Sequence, residues 1–374
     1  MSRNMTATNT EIFHFLDNYC IGRSNPIRNA NTPRWIAGPT ANEKAFLADA
    51  KIVFTLNFTL TRRAAIFEHL GRAYFCLVGF DEAEIFGQLT EVEVTGGIFT
   101  TIIGELLPKP IKSTDEIRNI VEAQDRSNSG HIYKGHSLDL MKNLFPSVSV
   151  FTMGEVSETE AYRIFFRFCA MECENGDFWI KKILSSSLTN LCDLDSLHIP
   201  YQTLCRSVFD ADPAGLFLAL YRCIEALYSY KSAGKIATEF NLTKDWNEIS
   251  IILEATLGWR ATEASSLNSL LTLCDETVFP DLFTALGITI DQTILNIKDL
   301  AGKQIYKLRN ALVHFRPIHH RKEYEKIDWN LICVVMTEIV RCIYEKIFSI
   351  TIEEPGSALP FRHAPSLRLP EPSH

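Results

Sequence analysis

Arg309, Asn310 and His314, in the run IYKLRNALVHFRP, bring a guanidinium, a carboxamide and an imidazole into one short segment. An imidazole titrates near neutral pH and can take and return a proton within one reaction. A guanidinium keeps its charge at any physiological pH and donates two parallel hydrogen bonds to phosphate oxygens. Together they can hold a phosphodiester and move the protons that its cleavage requires. On a helix, Asn310 and His314 are four residues apart and share a face, with Tyr306 one turn earlier, so the asparagine amide is placed to orient the imidazole. At ~100° per residue Arg309 and His314 differ by about 140°, so the long arginine stem must curve round to reach the same cleft. Pro317 stops the helix, which puts His314 in its last turn. The negative end of the helix dipole repels phosphate there, and Arg316, Arg321 and Lys322 are the nearest cations to offset it. Plainer roles exist for the same residues: a surface cation, a cap for a neighbouring helix and a C-terminal capping histidine.

Other pairs compete for the same reading. Arg126 and His131 have the spacing but lie in the loop-like RSNSGH segment, and Arg63 and His69, one residue wider, fall in a stretch that can be helical. Neither arginine is followed by asparagine. Glu225, in YRCIEALYSY, can pair with Arg309 across a bundle and orient it, or with Arg222 on its own helix. His319 and His320 are adjacent, and adjacent side chains diverge on most backbones, so they form no metal site. Cys169 and Cys173 are four apart without a second Cys/His pair at zinc spacing. The reading calls for no metal and no cofactor.

The elements that must position these residues belong to a chain of 374 residues, long enough for two cores. Its net charge of −8 argues against indiscriminate nucleic-acid binding. Yet eight basic side chains face three acidic ones between Lys298 and Lys326, a positive island in an acidic protein. No run approaches the ~18 apolar residues of a membrane span, and MSRNMTATNTEIF lacks the apolar core of a secretory signal. The expectation is a cytoplasmic protein with reduced, structural thiols and no membrane partner.

Periodicity divides the chain into an α+β arrangement. Residues 1–154 read as mixed α/β. KIVFTLNFTL (Lys51 to Leu60) alternates like a half-buried strand, and AYFCLVGF (Ala73 to Phe80) suits a buried one. LTEVEVTGGIFTTIIGEL (Leu89 to Leu106) suggests a hairpin turning at Gly96 and Gly97. Helical spacing takes over in residues 155–353. Ser157 with Glu160 suggests a capping box, and Asp212-Pro213 a helix start. Further helices are expected around Asn247 to Leu257, Ala261 to Cys274, Asp291 to Phe315 and Trp329 to Phe348. Residues 354–374 are proline-rich and read as a disordered tail.

The Arg309-Asn310-x3-His314 pattern near the end of a helical region resembles the signature of HEPN domains, helical bundles found in ribonuclease toxins and phage-defence proteins. The resemblance covers the motif closely and the helices from about Asp212 to Phe348 more loosely. It implies a C-terminal all-α HEPN-like bundle that pairs as a homodimer with a composite active site. It also implies a metal-independent endoribonuclease. RNA carries its own nucleophile, so 2′-hydroxyl attack would leave a 2′,3′-cyclic phosphate and a 5′-hydroxyl. In that reading Arg309, Asn310 and His314 are catalytic, and Arg316, Arg321, Lys322 and Tyr306 bind substrate. Residues 1–154 sense or restrain, and an antitoxin or a phage-derived activator is the implied partner. The alternative is a non-catalytic dimerisation and nucleic-acid-binding module.

Overall fold

In the computed structural model, residues 4–81, 86–123, 133–174, 178–194, 198–289, 296–314 and 327–348 are described. Expected segments beyond them, including the proline-rich tail and the Arg126/His131 pair, lie outside this set.

The alternating and apolar runs of the first part form one antiparallel sheet. Strands β1 (Lys51–Asn57), β2 (Arg63–His69) and β3 (Arg72–Val78) pair in chain order. Strand β4 (Thr90–Glu91) and strand β5 (Val148–Met153) extend the sheet to the order β1-β2-β3-β5-β4. β2 and β3 are joined by Leu70 and Gly71, both at positive φ (50° and 69°), the mirror-image turn whose twist matches that of paired strands. Arg63 and His69 therefore occupy the two ends of a strand. The helix that would have made them a rival pair does not form.

Both faces of the sheet are buried. On one, Phe54, Ile66, Phe75 and Phe151 pack with Tyr162, Phe165 and Phe168. On the other, Phe67, Cys76, Val78 and Val150 pack with Phe46, Ile102 and Leu106. The second layer is made by α2 (Ala41–Asp49) and α3 (Gly96–Leu106), flanked by α1 (Met5–Ile21), α4 (Thr114–Ala123) and α5 (Leu138–Lys142). The expected hairpin at Gly96-Gly97 is thus a helix start. The segment is apolar on all sides because it lies between the sheet and α1, a position that overrides its β-branched composition. Thr100 and Thr101 donate their hydroxyls to the carbonyls of Gly96 and Gly97, which satisfies them inside the core. A side chain at Gly97 would collide with Glu43 of α2, so glycine here serves close helix packing.

The remaining helices include those expected, together with Lys182–Leu191, Tyr201–Ser207, Tyr230–Glu239 and Phe279–Ala285, which the sequence does not mark. α6 (Glu158–Glu172) starts at Ser157, whose hydroxyl accepts from the Glu160 N–H at 3.2 Å. The Glu160 carboxylate turns instead to Arg163, so only half of the capping box forms. After α7 (Lys182–Leu191) and α8 (Tyr201–Ser207), α9 (Pro213–Glu225) begins at Asp212, which caps the Ala214 N–H at 3.0 Å. Then come α10 (Tyr230–Glu239), α11 (Trp246–Leu257), α12 (Glu263–Leu271), a short 3-10 turn, α13 (Phe279–Ala285), α14 (Ile297–Val313) and α15 (Trp329–Phe348). α15 runs through the middle, against α7, α9 and α13. Its buried Tyr344 hydroxyl donates to the Cys223 carbonyl of α9 at 3.0 Å. One cluster of buried side chains continues from the inner face of the sheet through α6 to α15, so the core does not break where the chain passes from strands to helices.

The cysteines are free thiols, all buried except the half-buried Cys342. Among the described residues no helix is long and apolar enough to cross a membrane.

Candidate functional site

α14 is built to present one polar face and bury the other. Its N-cap Asn296 accepts from the Asp299 N–H at 3.1 Å. Ala301, Gly302, Ile305 and Leu308 are buried, with Ile297, Leu300 and Leu312 packed at the margin of one apolar stripe. Tyr306 is half-buried and leans on the same core.

Arg309 leaves this helix toward α9 and α12, with its side chain 16% exposed. Its Nη2 lies 3.5 Å from Glu225 Oε1 of α9, and its Nη1 lies 3.4 Å from Glu263 Oε2 of α12. Nη1 also donates to Asn310 Oδ1 at 2.9 Å. The guanidinium carbon stands 5.6 Å from the centre of the Tyr221 ring, a cation–π distance. The Tyr228 hydroxyl donates to the Tyr221 hydroxyl at 2.5 Å. Burial pushes both phenols upward, so they stay neutral beneath the arginine. Of the two partners open to Glu225 in the sequence, the structure places Arg309 beside it; among the described residues it makes no ion pair with Arg222.

His314 is the C-cap of α14. Its backbone is extended (φ −96°, ψ 128°), its N–H donates to the Asn310 carbonyl at 3.0 Å and its side chain is exposed. The expected hydrogen bond between the Asn310 amide and the His314 ring does not form among the described residues: the chain turns extended at His314 and leaves its ring at the surface, while the amide oxygen accepts from Arg309. The structure therefore gathers Arg309, Asn310 and Glu225, adds Glu263, Tyr221 and Tyr228, and leaves His314 at the surface a turn away. Arg316, Arg321 and Lys322 lie outside the described residues. Among the described residues no group of three or more His, Cys, Asp or Glu side chains could hold a metal ion.

Glu263 and the tyrosine pair escape a reading of the sequence. Glu263 is simply an acidic residue in the first turn of α12, where the helix dipole alone would favour it. Tyr221 reads as one more member of the apolar face of α9, and nothing local marks its ring as the seat of an arginine.

The separations of 3.4 and 3.5 Å exceed the usual 2.7–3.2 Å for N–H···O bonds. The two carboxylates thus restrain the guanidinium mainly by charge and leave some of its five N–H donors open to another oxyanion. No protein-family model matches the chain, and no curated protein or solved structure matches it either.

Proposed function

We propose that this protein is a metal-independent endoribonuclease of the HEPN type, acting as a homodimer through its helical region. One observation carries the reading: the motif arginine is preset by carboxylates from two other helices, while the motif histidine stands exposed at the end of the same helix. An arginine needed only for solubility would not be drawn over a tyrosine ring between α9 and α12.

In the proposed reaction an RNA phosphate displaces the loose carboxylate contacts and takes two N–H bonds from Arg309, which strengthen as charge builds on the phosphoryl oxygens. The 2′-oxygen attacks phosphorus, the bond to the 5′-oxygen breaks, and imidazole takes the proton from the first oxygen and supplies one to the second. One exposed imidazole cannot flank both oxygens. Two copies of α14, packed antiparallel, supply two. Asn310 keeps the guanidinium in place, a positioning role rather than the imidazole-orienting one that spacing suggests. The first part of the chain is assigned to sensing or restraint, and a toxin or anti-phage role, with an antitoxin or phage-derived activator as partner, follows the motif resemblance.

A second reading has its own support. Arg309 with Glu225 and Glu263 carries a net negative charge, which suits a structural ion cluster in a non-catalytic RNA-binding or dimerisation module. Incubation of purified protein with RNA in excess EDTA separates the two. The nuclease reading expects cleavage that disappears in Arg309→Ala and in His314→Ala while the helical circular dichroism signal remains. Cleavage retained in both variants would overturn the assignment of this site, and cleavage absent from every preparation while RNA still binds would favour the second.

A further inference from the structure

Beside the β4 edge of the sheet, a cavity of about 350 Å³ lies between the end of β5, the turn that leads into β4, α6 and the end of α7. Phe86, Leu89, Met153 and Ile164 give it apolar walls. Arg163 and Arg167, one turn apart on α6, bring charge to the same space. An apolar hollow of this size with a few converging polar groups is the usual form of a small-molecule site.

The two arginines are employed differently. Arg163 is spent: its Nε and Nη2 donate to the Glu160 carboxylate at 2.7 and 2.5 Å, and its Nη1 donates to the Cys192 carbonyl at 2.8 Å. It thereby fastens α6 to the end of α7. Arg167 keeps donors in reserve. Its Nη1 donates to Asp193 Oδ1 at 2.7 Å, and its Cζ stands 4.7 Å from the centre of the Phe86 ring. Its Nε is buried, and among the described residues neither Nε nor Nη2 has an acceptor. These two nitrogens form one edge of the guanidinium, with parallel N–H bonds that match the two oxygens of a carboxylate. A charged donor shut off from water and left unpaired is costly, so an acceptor that enters the cavity gains more there than at an exposed arginine.

We propose that this cavity binds a small organic carboxylate with an apolar body, such as an aromatic acid, its oxygens on the Nε–Nη2 edge of Arg167 and its body against the apolar walls. The charged side chains that line the space, Glu160, Arg163, Arg167 and Asp193, sum to zero. One added negative charge meets the open edge of Arg167, whereas a polyphosphate would carry charge that nothing in the cavity neutralises. The bound molecule would touch β5 on one side and α6 and α7 on the other, at the seam between strands and helices. None of these residues belongs to the Arg309 cluster, so the inference stands apart from the nuclease reading.

The test titrates the full-length protein with naphthoate, with its neutral counterpart naphthamide and with phenyl phosphate, and reads binding by calorimetry. Wild type should bind naphthoate saturably and the amide roughly 10- to 100-fold more weakly, the cost of losing charge-assisted bonds. Arg167→Gln should lose naphthoate affinity by a similar factor. Asp193→Asn, which removes an exposed competitor for the same guanidinium, should tighten binding by up to about fivefold. No saturation by about 10 mM, well above the ~1 mM expected for a ligand of this size, would overturn the proposal. So would equal affinity in an Arg167→Gln protein that melts like wild type. If that variant melts early, the acid and amide decide in wild type, and equal affinity for the two would be fatal. Phenyl phosphate bound more tightly than naphthoate would overturn the carboxylate assignment.

Discussion

Arg62 and Arg309 both lean on carboxylates brought from other elements, and the carboxylates differ. Arg62, in the turn between β1 and β2, donates its Nε to Glu172 at the end of α6 at 2.7 Å. That carboxylate is 0% exposed and also accepts the Asp81 N–H at 2.8 Å. Arg62, 20% exposed, has Asp81 as a second and looser partner at 3.6 Å. Arg309 is covered to a similar degree, 16% exposed, but both of its carboxylates, Glu225 and Glu263, are 37% and 40% exposed and stand off at 3.4–3.5 Å. A buried carboxylate with short bonds is a clasp between sheet and helices that nothing in water can replace. A covered guanidinium with loose, wet carboxylates is held ready for exchange. The lesson is that tightness and exposure of the partners, more than the presence of an ion pair, separate a cross-link from a candidate site.

The comparison breaks first on function. His314→Ala and Arg309→Ala should each lower RNA cleavage by roughly 10²- to 10⁴-fold, read as initial rates on a labelled RNA, with little change in the urea midpoint. Glu172→Ala should do the reverse. Removing one partner of a buried pair costs about 3–5 kcal/mol, so denaturant unfolding should reveal a large loss, while the folded fraction keeps its affinity for a short 2′-O-methyl oligonucleotide, which lacks the nucleophile. If Arg309→Ala destabilised as much as Glu172→Ala, the two clusters would be equivalent and the contrast would fail.

Smaller effects sharpen the same contrast. Glu225→Gln and Glu263→Gln each remove a competitor for Arg309. Half-exposed pairs are worth up to about 1 kcal/mol, so oligonucleotide binding should tighten by up to about fivefold in each, even where cleavage slows because the guanidinium is less well aimed. Weaker binding in both variants would show that the carboxylates build the binding surface instead of restraining it.

The smallest effect concerns pH and lies away from the site. Burial, partly offset by Asp245, lowers the pKa of His198, whose ring stacks on Phe348 at 4.1 Å at the end of α15. The unfolded chain then protonates this imidazole at higher pH than the folded protein does. Its contribution to stability is present above the unfolded value, near about 6.5, and is lost as the pH falls through the folded value. Thermal melts from about pH 7 to about pH 5 should show a decline that is shallower in His198→Phe.

Elements governed by local chemistry are legible in the residues. Asp212-Pro213 marked the start of α9, and the apolar spacing from Trp329 to Phe348 gave α15 without error. It failed where tertiary packing governs. Gly96 to Leu106 carries isoleucines and threonines typical of strands, yet the slot between sheet and α1 accepts only a close-packed helix. α1 is not legible either, because its buried face mixes Thr8, Asn9 and Asp17 with Ile12 and Leu16; the Asn9 amide donates to the Met5 carbonyl of its own helix, but its oxygen accepts from the distant Ile36 N–H. The same limit applies at the candidate site. Arg309, Asn310 and His314 were visible as a motif, whereas Glu263 and Tyr221 come from helices whose approach to Arg309 is a property of the bundle.

The central claim is that this chain cuts RNA through the RNA's own 2′-hydroxyl, and the ends of the products test it most directly. Wild-type protein in excess EDTA should yield fragments with 2′,3′-cyclic phosphate and 5′-hydroxyl ends, seen by mass spectrometry, and an RNA 2′-O-methylated throughout should survive intact. Fragments with 5′-phosphate ends, or cleavage of the methylated strand, would contradict the account.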